Sequence, residues 1–247
     1  MLSNWENLKV DNETMRLYTS LPENQAPAPG VIVIQTQYGI DSFIEETVRM
    51  LARAGYAAVA PDLYHRDPAD CKDDAPTRRG RVRGENVIKE VNAAAHYLKA
   101  HRLVDREQLG IIGFCMGGRA AYLMAAENPD LKVSVMYYGG DIMQPWGDCP
   151  PPFERTAQIH CPILGHFGEE DTNPSPEDMR KLDAELTRCG KIHRFYSYAG
   201  AGHGFAHVGS PRYRAEAAKA SWPRTFEFLA KYLDRRASQA KAAVSTG

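Results

Sequence analysis

The stretch GFCMGG, residues 113–118, sets a thiol at a tight bend between an apolar run and a helix-forming run. Gly113 stands two residues before Cys115 and Gly117 two after it. The G-x-S-x-G elbow of serine hydrolases uses this spacing, because small flanking residues let strand and helix pass closely and force the nucleophile outward. Here sulfur replaces oxygen. A helix starting just after Cys115 would aim free N–H groups at it and favour thiolate over thiol. From these six residues alone, a buried cysteine in an ordinary tight turn reads equally well. The partners shift the balance. HFGEEDTNP places Glu169, Glu170 and Asp171 just beyond a strand, and AGAGHGFAH sets His203 in a glycine-flanked loop. Cys115, Asp171 and His203 follow the order nucleophile, acid, histidine that the elbow architecture requires. Glu169 and Glu170 read as solvated turn residues.

Other constellations are weaker. His160, Cys161 and His166 lie close in sequence, but His160 and Cys161 would point to opposite sides of a strand, so no metal site is expected. GAGHG lacks the lysine and following helix of a phosphate loop. Arg78, Arg79, Arg81 and Arg83 form a basic run, which is either a solvated loop balanced by nearby CKDD or an anion contact.

Elements must position these residues. Apolar, β-branched runs at 30–37, 56–64, 108–114, 132–139, 161–168 and 192–199 alternate with helical patterns at 42–55, 85–101, 117–128, 175–190 and 214–233. Such alternation predicts an α/β fold: a mainly parallel, doubly wound sheet with helices on both faces. Residues 8–22 alternate like an antiparallel hairpin at the sheet edge. The segment 61–86, dense in charge, Pro and Gly, reads as irregular. No linker divides the chain, so one domain over 1–234 is expected, with 235–247 as a flexible tail.

The 247 residues carry 30 basic against 31 acidic side chains, which leaves no global field to attract nucleic acid or an anionic membrane. No apolar run is long enough to span a bilayer, and the polar start MLSNWENLKVDNE does not resemble a signal peptide. Five scattered cysteines without CxxC suggest reduced thiols in a cytoplasm.

Taken together, APGVIVIQTQYGID, GYAAVAPDLYHR, GFCMGG, YYGG, HFGEED and GHGFAH resemble dienelactone hydrolase (carboxymethylenebutenolidase), a small lidless member of the α/β-hydrolase fold. The likeness runs from about residue 8 to 234. It implies a Cys115–His203–Asp171 triad, an oxyanion hole from the backbone N–H groups of Met116 and Gln37, and hydrolysis of a lactone or activated ester through an acyl-enzyme. It implies no cofactor or metal, and a monomer or homodimer acting on a small molecule. Substrate contacts are expected from Thr36, Tyr38, Arg81, Tyr138 and His207. Two positions depart from the family pattern. Thr36 stands where a glutamate holds the resting thiol, and His207 stands where an arginine grips the substrate carboxylate. The alternatives are a hydrolase of neutral esters unrelated to dienelactone, or a redox-active cysteine protein on the same fold.

Overall fold

The computed structural model describes residues 2–23, 27–68 and 70–233. Its strands are β1 (Leu2–Val10), β2 (Glu13–Leu21), β3 (Ala28–Ile34), β4 (Ala57–Pro61), β5 (Val104–Phe114), β6 (Leu131–Tyr137), β7 (Ile163–Gly168) and β8 (His193–Tyr198). They form one eight-stranded sheet in the order β1-β2-β4-β3-β5-β6-β7-β8. From β4 to β8 all neighbours are parallel. β1 and β2 add an antiparallel edge.

The helices are α1 (Ser42–Arg53), α2 (Ala75–Arg81), α3 (Gly84–Ala100), α4 (Met116–Glu127), α5 (Pro176–Arg188) and α6 (Ala215–Leu233). α1 and α6 lie against one face of the sheet, and α3, α4 and α5 against the other. The strands that read as continuous apolar runs are those covered on both sides; every residue of β4 is buried. α4 is the most central helix, buried from Met116 to Ala126. Helix starts follow capping chemistry. Asp41 accepts the Ile44 N–H at 3.1 Å ahead of α1, and Ser175 and Asp178 form a reciprocal capping box ahead of α5.

Two expectations need correction. The hairpin turns at Asp11 and Asn12, so its first strand begins six residues before the alternating stretch at 8–22. The segment 61–86 is not wholly irregular, since it contains α2. None of the α2 side chains is buried, which leaves no apolar periodicity to read. The expected tail at 235–247 lies outside the described residues. No helix among the described residues is long and apolar enough to cross a membrane.

Candidate active site

The site is built where β5 turns into α4. Cys115 occupies that turn with φ 58° and ψ −118°, a conformation costing a non-glycine residue about 1–3 kcal/mol. Packing holds it there. A Cβ on Gly113 would lie 1.8 Å from the carbonyl oxygen of Gly117, and one on Gly117 would lie 2.3 Å from that of Ile34. No side chain fits either position, so strand and helix meet backbone to backbone. The Cys115 N–H also donates to the Tyr137 carbonyl at 3.0 Å, which ties the elbow to β6.

Asp171 follows β7 and His203 follows β8, so both loops open at the carboxyl ends of parallel strands, beside Cys115. His203 Nδ1 donates to Asp171 Oδ2 at 3.0 Å. The second oxygen of Asp171 accepts the Asn173 N–H at 2.9 Å, which fixes the carboxylate plane. Nδ1 being taken, Nε2 is left for the sulfur of Cys115, which lies close enough to His203 for each to shift the other's ionisation. The sulfur also accepts the backbone N–H groups of Met116 and Gln37.

These contacts set the charges. Burial alone would raise the Cys115 thiol, but His203 and the two backbone donors outweigh it and hold the thiol below its ordinary value. Burial likewise opposes a charge on His203, yet Asp171 and Cys115 raise it well above an ordinary histidine. Both directions shift the pair towards thiolate and imidazolium. The ring of Tyr138 stands edge-on to His203, with centroids 5.2 Å apart.

Two cavities open on Cys115 and share Arg79, Asn173 and His203. The smaller, about 210 Å³, reaches under α2 to Arg83, Arg119 and Trp146. The larger, about 550 Å³, runs past Gln37 and Glu170 to Arg212 and Arg214.

None of the five expected substrate contacts lines either cavity. Arg81 turns away to Asp67 at 3.1 Å and to Asp73, while Arg79 of the same helix lines the smaller cavity with Cys115. His207 is held by Asp41 at 3.1 Å and stacked on Phe43, so it ties its loop to the start of α1. Thr36 is buried and accepts the Tyr38 N–H at 3.1 Å, closing a local turn beside Gln37. Tyr38 is exposed and touches His207 edge-on. Tyr138 alone of this group sits against the candidate catalytic residues. Sequence reasoning missed Arg119, Trp146 and Asn173. Arg119 had a signal: it is the one charge in MGGRAAYLMAA, a run otherwise small or apolar.

No group of three or more His, Cys, Asp or Glu among the described residues is arranged to hold a metal ion.

An elbow cysteine ahead of a buried helix, with an acid and a histidine on the next strand loops, defines an α/β-hydrolase. The family model of the dienelactone hydrolase family matches residues 15–233. This chain belongs to that family and is a dienelactone hydrolase-like hydrolase. It is 30% identical over 241 residues to an Escherichia coli K12 protein named "Putative carboxymethylenebutenolidase", covering 94% of this chain and 88% of the relative. It is 31% identical over 236 residues to a Bradyrhizobium protein named "Probable 2-oxo-3-(5-oxofuran-2-ylidene)propanoate lactonase", covering 93% and 94%. A crystal structure titled as a "Putative Dienelactone Hydrolase" from Klebsiella pneumoniae superposes with a TM-score of 0.87 at 30% identity, covering 94% of this chain and 99% of that one.

Proposed function

We propose that this protein hydrolyses lactones or activated carboxylic esters by covalent thiol catalysis, with Cys115 as nucleophile, His203 as general acid and base, and Asp171 as the group that orients His203. The observation that carries this reading is the Asp171–His203 hydrogen bond beside Cys115, where His203 and the Met116 and Gln37 N–H groups all favour the anionic sulfur. The lactonase name of the Bradyrhizobium relative supports the substrate side.

In this mechanism the Cys115 thiolate attacks the carbonyl carbon. A C–S bond forms and the π pair moves to oxygen. As the sulfur loses its charge, the Met116 and Gln37 N–H groups are released to hold the new oxyanion. Collapse expels the alkoxide, which takes the proton from His203 and leaves a thioester on Cys115. For a lactone, this alkoxide stays tethered within the acyl chain. Neutral His203 then removes a proton from water, which attacks the thioester and returns thiolate and imidazolium. Asp171 fixes the imidazole tautomer and stabilises its cation throughout.

The test is a rapid-mixing assay with a 4-nitrophenyl ester, with intact-mass analysis of the quenched enzyme. A burst of one nitrophenolate per chain and an acyl adduct on Cys115 are expected. Wild-type turnover by Cys115→Ala would falsify the mechanism.

A further inference from the structure

Arg119 is a charged side chain in a place that opposes charge. It is the fourth residue of α4, where the positive end of the helix disfavours a cation. It is also 8% exposed. Burial and the neighbouring Arg79 lower its pKa to about 10, which still leaves it protonated at neutral pH. Among the described residues it forms no ion pair. The nearby acid, Asp141, is engaged elsewhere: one oxygen accepts the Asn173 amide at 2.8 Å and the other faces Arg79 at 3.6 Å.

What holds Arg119 is neutral. One terminal nitrogen donates to the Gln144 and Pro145 carbonyls at 2.5 and 3.1 Å, and the guanidinium plane lies over Trp146 at 4.4 Å. Its Nε–H is buried with no partner. An unpartnered buried donor on a charged group is costly to leave unmade. This side chain lines the smaller cavity beside Cys115, and Arg79 and Arg83 line it too.

We infer that Arg119 is a specificity-determining residue that binds a carboxylate on the acyl portion of the substrate, in the smaller cavity, with Arg79 closing over the anion from α2. This rests on the thiol hydrolase reading above. The fixed partner is Arg119, because stacking on Trp146 and two carbonyl contacts already hold its plane, so little side-chain freedom is lost on binding. Arg79, on a helix with no buried residue, is the adjustable one. A rival role for Arg119 is to staple the loop 140–149 onto α4.

A matched pair of substrates separates the roles: 4-nitrophenyl hexanoate, and mono-4-nitrophenyl adipate, which ends in a carboxylate. In wild type, kcat/KM is expected to favour the adipate ester by about tenfold or more, since charge-assisted hydrogen bonds are individually worth that much. Arg119→Met keeps an unbranched chain against Trp146 and should lower the adipate-to-hexanoate ratio about tenfold, mainly through KM. Arg119→Lys should restore part of the ratio. A parallel fall in both substrates, with the ratio kept, would overturn the inference and leave only the loop staple. A ratio unchanged in Arg119→Met would overturn it too. Should Cys115→Ala retain turnover, the hydrolase reading fails separately. The inference is then judged by protection of Cys115 from iodoacetamide, where hexanoate must protect better than hexanamide in wild type and not in Arg119→Met.

Discussion

Two histidines of this molecule are placed in neighbouring elements and are pushed to different charge states, His203 towards the cation and His166 towards the neutral ring. His203 sits in the loop after β8, partly exposed, with Asp171 on one ring nitrogen and the Cys115 sulfur on the other. His166 sits inside β7, fully buried, with Nδ1 on the Tyr198 hydroxyl at 2.8 Å and Nε2 on the Thr225 hydroxyl at 3.0 Å. Burial pulls both towards the neutral form. At His203 anionic partners overcome that pull. At His166 the partners are neutral and Arg224 adds repulsion, so its pKa falls to about 3. Partner chemistry, rather than depth, decides which histidine fits the proposed acid–base role and which is a strut. The strut has work of its own: Thr225 also meets the Tyr137 hydroxyl at 2.7 Å, so one polar chain ties β6, β7, β8 and α6 below the site.

The contrast breaks most visibly in catalysis. Cys115→Ala and His203→Ala should each lower kcat/KM for an aryl ester by about 10³-fold or more, as for other nucleophile–base units. His166→Gln should lose far less, and a comparable loss there would erase the distinction. Next comes Asp171→Asn, which should lower kcat by about 10³-fold, because the amide favours the wrong tautomer of His203. Glu169→Gln, whose carboxylate meets only the Ser197 hydroxyl among the described contacts, is the matched control.

Alkylation of Cys115 by iodoacetamide against pH sharpens the charged half. The thiolate is the reactive form, and its pKa is held down, so the rate should reach half its plateau below the ordinary ~8.5. Asp171→Asn should move that midpoint up, because the imidazolium loses its carboxylate. Thr36→Glu should move it up as well, since an added negative charge disfavours a second one nearby.

The neutral half is read by stability. Below about pH 6.5 the unfolded chain protonates this histidine and the folded chain does not. Stability should therefore fall on acidification, by up to about 1.4 kcal/mol per pH unit from His166, down towards its folded pKa of about 3. In His166→Gln the slope of unfolding free energy against pH between 6 and 4 should be shallower by up to one proton. An equal slope would mean that His166 is protonated in the fold.

The elbow and the order of Cys115, Asp171 and His203 were legible because the proposed chemistry needs particular residue types at strand ends, flanked by glycines. The parallel sheet was legible because buried strands leave continuous apolar runs. The substrate-facing residues were not, since they depend on how loops distant in sequence meet. Arg81 and Arg79 show the difference: two positions on a helix point about 200° apart, and a charged segment gives no apolar stripe to fix its phase. The pairing of His207 was hidden for a similar reason, since Asp41, its partner, lies more than 160 residues earlier and belongs to another helix cap. Arg119 was hidden by its own motif, whose small residues drew attention to the turn and away from the single cation.

Helix α2 carries a consequence for how such an enzyme changes over generations. Its attachments are ion pairs to Asp67, Asp73 and Asp141 and the stacking of Arg78 on Tyr64 at 4.1 Å, with no apolar face committed to the core. The exposed pairs among these, to Asp73 and Asp141, contribute about 0–1 kcal/mol each. Residues 75–81 can thus be exchanged, lengthened or recharged at small cost to folding, while the elbow below tolerates not even one extra carbon at Gly113. The entrance and the reactive centre are separate units of variation, so a lineage can acquire new substrates by rewriting the roof without touching the chemistry.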